Sequence, residues 1–264
     1  MTPQWHEVAE NRDLDGLILA TPPATHFELA YTAIRTGIPV LVEKPLTLSV
    51  VDARRLVDAA AAHGVLTMVG HTHLFSSAFR ELKQKGGGLG PLQHVRSAGG
   101  NWGPFRLDAP MLWDWGPHDI AMCLDLFDSY PRRIQATRTR AVNQPQANGE
   151  AVAVTLDFEN GTCAEIHVSN IERQKQRVFE AVYADGTLVY DDLAEHKLVY
   201  RAGSGVAAEP VPIDRSLPLT NLLVEFCSAI EVGKHSSPSL LLGLKVIEIL
   251  AACQKDLDCT IRST

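Results

Sequence analysis

Three short, fully apolar runs lie within residues 1–70, and segments of helical periodicity separate them. The runs are GLILA at 16–20, PVLVE at 39–43 and VLTMVG at 65–70. Strands that are apolar on both faces are typical of parallel sheets covered by helices on each side. The stretches 24–36 and 49–64 are expected to be helices: apolar residues recur at helical spacing in the first, which Gly37 follows, and the second ends at Gly64. This alternation predicts a doubly wound parallel sheet with right-handed crossovers.

The pattern changes after residue 70. A helix is expected over 76–85, and the glycine-rich stretch 86–90 ends it. Residues 132–201 then form runs that alternate apolar and polar positions, with turn signals between them, as antiparallel strands do. The fold class is therefore α/β plus α+β, with part of a parallel sheet at 1–72 and a second domain with a mostly antiparallel sheet at 73–264. The remaining predicted elements are a strand at 93–100 and helices at 114–128, 219–232 and 239–257, of which the last should pack back on the first domain.

Composition and charge narrow the class of partner. The 264 residues include 24 basic and 31 acidic side chains, a net charge of −7, so a small molecule is expected as the partner and nucleic acid is not. No apolar run approaches the roughly 18 residues of a membrane span, and the N-terminus lacks the plan of a signal peptide, so no membrane partner is expected. The five cysteines are scattered without a CxxC pair, which is typical of reduced thiols in a cytoplasmic protein.

Open parallel sheets bind ligands at the carboxyl ends of their strands, so the residues that follow each apolar run are candidates for a site. Lys44 is the strongest candidate for a catalytic residue. A lysine held between Glu43 and Pro45 after a buried strand can exchange a proton if its pKa is lowered. On spacing alone, a surface lysine paired with Glu43 is equally compatible. The other candidates at these strand ends are Thr21, Pro22, His26, His71 and His73.

A second cluster of polar residues is the run WDWGPHD at 113–119. Proline is tolerated in the first turn of a helix, so a helix that opens near this run places Asp114 and His118 on one face, four residues apart. A neutral imidazole can take a proton from a hydroxyl group while a carboxylate orients the substrate. The alternative is that Asp114 caps the helix and His118 is an interior histidine.

Together these motifs resemble a known family. ATPP at 20–23 with His26, EKP at 43–45, VGH at 69–71 and the later D-x-G-x-H at 114–118 are similar, in identity and in order, to the glucose-fructose oxidoreductase and inositol dehydrogenase family (Gfo/Idh/MocA). The resemblance covers most of the chain. The VGHTHLF segment is similar to branches near sugar-nucleotide and polysaccharide-biosynthesis enzymes.

The resemblance implies a partial Rossmann-type domain and an NAD- or NADP-dependent oxidoreductase that interconverts a hydroxyl and a ketone on a sugar or sugar-nucleotide-like substrate. Lys44 takes the place of the family's EKP lysine, which binds the substrate hydroxyl, and His118 that of its acid/base histidine. Asp114 would orient the substrate and the imidazole. The second domain's sheet would cover the site with one face and form a homodimer or homotetramer with the other. The cofactor would contact Thr21, Pro22, His26, Glu43 and Lys44, and the substrate His71, His73, Asn101 and Trp113; no metal is implied.

Two features depart from the family. His73-Leu74-Phe75 stands where many members carry an arginine pair. The family's G-x-G-x-x-G phosphate loop is also missing, since the stretches at 86–90 and 203–208 have the context of turns. The first strand, helix and second strand of the family have no counterpart, so we expect cofactor binding to be weak or lost, or the start of the chain to be misassigned.

Two other functions stay open on this sequence. The chain could be a binding or regulatory relative that has lost the cofactor. It could also be a metal-dependent hydrolase, because His71, His73, Asp114 and His118 have the ligand types of a divalent-metal site. A barrel hydrolase would need more βα units than this chain holds, and intact Lys44, Asp114 and His118 favour the oxidoreductase.

Overall fold

The computed structural model describes residues 4–9, 11, 13–106, 109–142, 149–203 and 205–261. Ser204, within the glycine-containing stretch 203–208, lies outside the described residues. The chain forms two compact units. The first consists of residues 1–72 and 219–251, and the second of residues 73–218 and 252–264.

The first unit contains the parallel sheet that the apolar runs predict. Its strands β1 (Leu17–Leu19), β2 (Val40–Glu43) and β3 (Thr67–Gly70) lie in that order and are all parallel. The carboxyl ends of β2 and β3 are adjacent, since Glu43 pairs with Gly70. Residues at these two ends are therefore brought together by the register.

Helices connect the three strands of this sheet. α2 (His26–Thr36) and α3 (Val50–His63) are the crossovers, and a short α1 (Trp5–Ala9), which the periodicity did not predict, precedes β1. Ser49 caps α3 through its hydroxyl, which accepts a hydrogen bond from the Asp52 amide at 3.3 Å. Both crossover helices end at a glycine with positive φ, as the sequence predicts.

Two C-terminal helices complete the unit. They are α6 (Pro218–Glu231) and α7 (Pro238–Ile261), of which α7 contributes residues to both units. Ser239 on α7 ties the helix to β3, because its hydroxyl accepts a hydrogen bond from the Val69 amide at 2.8 Å. Gly243 permits this close approach, since a Cβ there would lie 2.7 Å from the Val69 side chain.

The second unit is built on an eight-stranded sheet with the strand order β11-β10-β9-β8-β4-β7-β6-β5. All neighbours are antiparallel except β4 and β7. The predicted fold class, a parallel sheet followed by a mostly antiparallel one, is confirmed. The strands are β4 (Leu92–Trp102), β5 (Arg133–Val142), β6 (Gly149–Asp157), β7 (Cys163–Ser169), β8 (Ile171–Tyr183), β9 (Gly186–Asp191), β10 (Leu198–Arg201) and β11 (Glu209–Pro210).

Two helices belong to this unit, α4 (Ser77–Gly86) and α5 (Met111–Phe127). α5 packs against β4, β6 and β7. It begins three residues before the predicted start at Asp114, because the amides of Trp113 and Asp114 already donate to the Pro110 carbonyl. Pro117 consequently lies inside the helix and not in its first turn, which corrects the sequence prediction. Asp114 and His118 still share a face, since both lie within one continuous helix.

Candidate active site

Lys44 follows β2 directly in the first unit and is half-buried. The carboxylate of Glu43 accepts a hydrogen bond from the Lys44 backbone amide at 3.1 Å, which fixes the turn that carries the lysine. A Cβ at Gly70 would lie 3.1 to 3.2 Å from the same carboxylate. Glycine at this position therefore lets Glu43 lie against the end of β3.

His71 follows β3 and is 1% exposed. Neither of its ring nitrogens has a hydrogen-bond partner within the described part of the chain. Burial, assisted by the positive charge of Lys44, lowers the pKa of His71 to about 3. The ring is therefore neutral at physiological pH, with one donor and one acceptor unused.

His26 is fully buried and differs from His71 in its contacts. Its Nδ1 lies 2.8 Å from the Pro45 carbonyl oxygen and its Nε2 lies 2.9 Å from the Thr21 carbonyl oxygen. Both nitrogens are occupied by the backbone, so His26 holds the loops after β1 and β2 together. Thr21 and Pro22 are exposed on the first of those loops.

In the second unit, α5 carries Asp114 and His118, and His118 is 8% exposed. The ring of His73 meets the ring of His118 edge to face, with 4.7 Å between the centroids. His73 Nδ1 in turn lies 3.2 Å from the hydroxyl of Tyr190, a side chain that is 1% exposed and whose pKa burial raises. Tyr190 thus positions His73, and His73 packs against the ring of His118 and holds it in one orientation.

The buried Asp119 and the partly buried Arg177 form an ion pair that the sequence reasoning missed. Arg177 Nη1 lies 3.2 Å from Asp119 Oδ2, and the Ser97 hydroxyl donates to the same carboxylate. Burial raises the pKa of Asp119, and the charge of Arg177 and the Ser97 hydrogen bond oppose that shift. Arg177 also lies over the Trp115 ring, 5.3 Å from its centroid. No sequence signal pointed to Arg177, because it comes from a strand distant in sequence from α5.

The two remaining predicted substrate residues differ in exposure. Asn101 is partly exposed near the end of β4, whereas Trp113 is 6% exposed on α5, which leaves little of its ring for a ligand. A residue that the sequence reasoning passed over, Arg106, lies 3.7 Å from Asp114 Oδ1.

The metal hypothesis gains no support from side-chain placement. Among the described residues, no group of three or more His, Cys, Asp or Glu side chains could hold a metal ion. Within the same ranges, no helix is both long and apolar enough to cross a bilayer.

Comparisons with known proteins give consistent matches. Residues 2–71 match a family model described as the oxidoreductase family with an NAD-binding Rossmann fold, and residues 79–189 match the GFO/IDH/MocA C-terminal domain. UDP-N-acetylglucosamine 3-dehydrogenase of Acidithiobacillus ferrooxidans is 27% identical over 73% of this chain and 60% of its own length. Inositol 2-dehydrogenase 4 of Saccharopolyspora erythraea is 30% identical over 61% of this chain and 50% of its own length. The chain thus spans little more than half the length of these relatives.

Solved structures extend the match over nearly the whole chain. A protein of Magnetospirillum magnetotacticum, assigned as an oxidoreductase, is 37% identical with a TM-score of 0.89, and the match covers 96% of this chain and 84% of that protein. The order of the strand-end motifs, the two family models and this structural match agree, and the chain belongs to the GFO/IDH/MocA oxidoreductase family.

Proposed function

We propose that the protein is an NAD(P)-dependent oxidoreductase that interconverts a secondary alcohol and a ketone on a sugar or sugar-nucleotide-like substrate. The observation that carries the proposal is the pair Asp114 and His118 on one face of α5, with His118 held by His73, in a chain of this family. The two relatives described above act on a UDP-sugar and on inositol, as their names state, which supports a polyhydroxylated substrate.

The residues at the carboxyl edge of the first sheet fit the nicotinamide end of the cofactor. His71 offers an unused donor and an unused acceptor, which suits the carboxamide group. Glu43, the residue before Lys44, pairs with Gly70, the residue before His71. Thr21 and Pro22 are exposed on the loop after β1, where they could line the same end. The cofactor, when bound, supplies the hydride acceptor or donor for the reaction.

The chain's own residues supply proton transfer and orientation. In the second unit, His118 takes the hydroxyl proton during oxidation and returns it during reduction, while Asp114 orients the substrate. In the first unit, Lys44 binds the substrate oxygen through its ammonium group.

Cofactor binding and turnover test this proposal. Titration of NADH or NADPH should give a saturable fluorescence change. Lys44→Ala and His118→Asn should each lower kcat by about 10²-fold or more with the substrate that the wild type turns over, myo-inositol and UDP-N-acetylglucosamine being the first to try. Lys245→Ala and His63→Ala, both at exposed positions, serve as controls that keep wild-type turnover. A flat titration up to millimolar cofactor, with no turnover, would overturn the proposal.

The assembly state and compartment are proposals as well. We propose a homodimer or homotetramer formed through the face of the large sheet opposite α5, and a cytoplasmic location. The side chains on that face are only partly buried, including those of Ala153 and Thr155. No disulfide joins any of the five cysteines within the described ranges, which supports a reducing compartment.

A further inference from the structure

A cavity of about 230 Å³ lies in the second unit beside the first turn of α5. We propose that it is a substrate subsite that binds a carboxylate group, so that the substrate is a carboxylated sugar or polyol. This rests on the proposed function and deepens it by naming the substrate class. The lining side chains on which the argument depends are Arg106, Asp114, Trp115, Arg138, Glu150 and Asn170.

Three side chains on the cavity lining carry hydrogen-bond donors that have no acceptor among the described residues. The indole Nε1 of Trp115 is buried and has no partner. Asn170 is 3% exposed, and its Oδ1 accepts from the Glu150 amide at 2.8 Å, while its side-chain nitrogen makes no contact within the described ranges. Arg138 uses its Nε toward Glu150, which leaves its two terminal nitrogens unused in the same part of the chain. A buried donor without a partner is costly, so the Trp115 indole, with the unused donors of Asn170 and Arg138 on the same lining, indicates a ligand that accepts hydrogen bonds.

The two carboxylates on this cavity lining, in contrast, are each paired with an arginine. Glu150 Oε2 lies 2.6 Å from Arg138 Nε, and Asp114 Oδ1 lies 3.7 Å from Arg106 Nη1. A ligand hydroxyl would bring a proton that needs an acceptor, whereas a carboxylate only accepts and can take several donors at once. Charge-assisted hydrogen bonds from arginine are also the stronger kind, which favours a carboxylate over a neutral carbonyl oxygen.

The surrounding contacts hold the Trp115 donor in place before a ligand arrives. Arg177 lies over the indole ring and is itself held by Asp119, a carboxylate that is 1% exposed. A donor that is already oriented loses little conformational entropy on binding. Asp114 lines the cavity and lies one helical turn before His118. The ligand carboxylate would therefore belong to the same substrate molecule whose alcohol exchanges a proton with His118.

The indole N–H of Trp115 allows a direct test. Protein labelled with ¹⁵N-tryptophan should be titrated with D-glucuronate and, in parallel, with D-glucose at equal ionic strength, and Trp115→Phe assigns the signal. We expect glucuronate to shift the Trp115 indole signal saturably and glucose to leave it in place. Arg138→Gln should weaken the response to glucuronate about tenfold or more. Arg140→Gln on the same strand should not, because Arg140 donates to the Ile171 carbonyl and does not line the cavity.

Each outcome decides the proposal. The proposal is overturned if glucuronate at tens of millimolar does not shift the Trp115 indole signal, because water alone would then satisfy the donors. It is also overturned if glucose shifts the signal as much as glucuronate does. Failure of the subsite is distinguishable from failure of the proposed activity, because the titration requires neither cofactor nor turnover. Turnover of neutral polyols without a Trp115 response to glucuronate would keep the oxidoreductase and remove the subsite.

Discussion

The two buried histidines of the first unit differ in what their ring nitrogens contact, although both are almost completely buried. His26 bonds two carbonyl oxygens and holds two loops, whereas His71 has both nitrogens unpartnered among the described residues. Burial of the His71 ring is therefore not offset by a hydrogen bond within the described ranges, and its charge is suppressed. That suppression ties the stability of the protein to pH.

We expect His71 to make the protein less stable as the pH falls below about 6.5. The pKa of His71 is lowered to about 3 in the folded chain, while in the unfolded chain it keeps its ordinary value near 6.5. Between these values the unfolded state binds more protons, so the free energy of unfolding decreases as the pH decreases. From pH 7.5 to 5 the loss attributable to His71 is about 2 kcal/mol.

His71→Phe isolates this contribution, because phenylalanine cannot take up a proton. The free energy of unfolding should be measured by urea titration at pH 7.5 and at pH 5. The decrease in this free energy between the two pH values should be about 2 kcal/mol smaller in the variant than in the wild type. Other groups, including Asp119 with its raised pKa, act equally in both proteins and cancel. The exposed His63→Gln should leave the difference unchanged. Equal pH dependence in His71→Phe and the wild type would contradict the assignment.

Helix α4 ends against β8 at Gly86, where the backbone approaches a side chain closely. A Cβ at Gly86 would overlap the hydroxyl and ring of Tyr183, which is 6% exposed and cannot swing away freely. Glycine here serves close packing, because its φ is not positive, in contrast to Gly37 and Gly64. The neighbouring Gly87 has only ordinary contacts at its Cβ position.

Gly86→Ala should destabilise the protein by about 1–3 kcal/mol, because the added methyl overpacks the contact with Tyr183. Gly87→Ala is the matched control and should be neutral or slightly stabilising, since alanine restricts the unfolded chain and meets nothing closer than 3.5 Å. Thermal unfolding of both variants measures the difference. A Gly86→Ala variant as stable as Gly87→Ala would show that Tyr183 moves at no cost.

The large sheet of the second unit has two unlike faces. On β6, Val152, Val154 and Leu156 are at most 1% exposed, whereas Ala153 and Thr155 alternate with them and are only partly buried. The second pair lines a shallow cavity of about 350 Å³ with residues of β4 and β7. The proposed association between copies of the chain uses this face.

If this face joins copies of the chain, sedimentation equilibrium of the wild type should give a mass that is a multiple of 28.8 kDa. Ala153→Arg places a long charged side chain on the face and should lower the mass toward that of one chain. Ala62→Arg adds the same charge at an exposed position on α3 and should leave the mass unchanged. A wild-type mass of one chain would refute the association, and an unaffected Ala153→Arg would place it elsewhere.

The sequence predicts correctly those helices and strands whose apolar pattern and end signals lie within one short segment. The three parallel strands, both crossover helices and their glycine ends follow from apolar runs and caps within the same segments. The start of α5 was wrong by three residues because Pro110 already accepts the first helical amides, a contact that periodicity does not reveal. The short α1 and β11 lacked enough residues to show a period.

Sequence alone determined the alternation of strands and helices, the candidate residues at the strand ends and the shared face of Asp114 and His118. All of these depend on residues close together in the chain. The parallel pairing of β4 with β7, the contact of His73 with Tyr190 and the cavity with its unused donors join segments that are distant in sequence. Their positions depend on sheet register and on which side chains are buried together, and those are settled only when the chain folds.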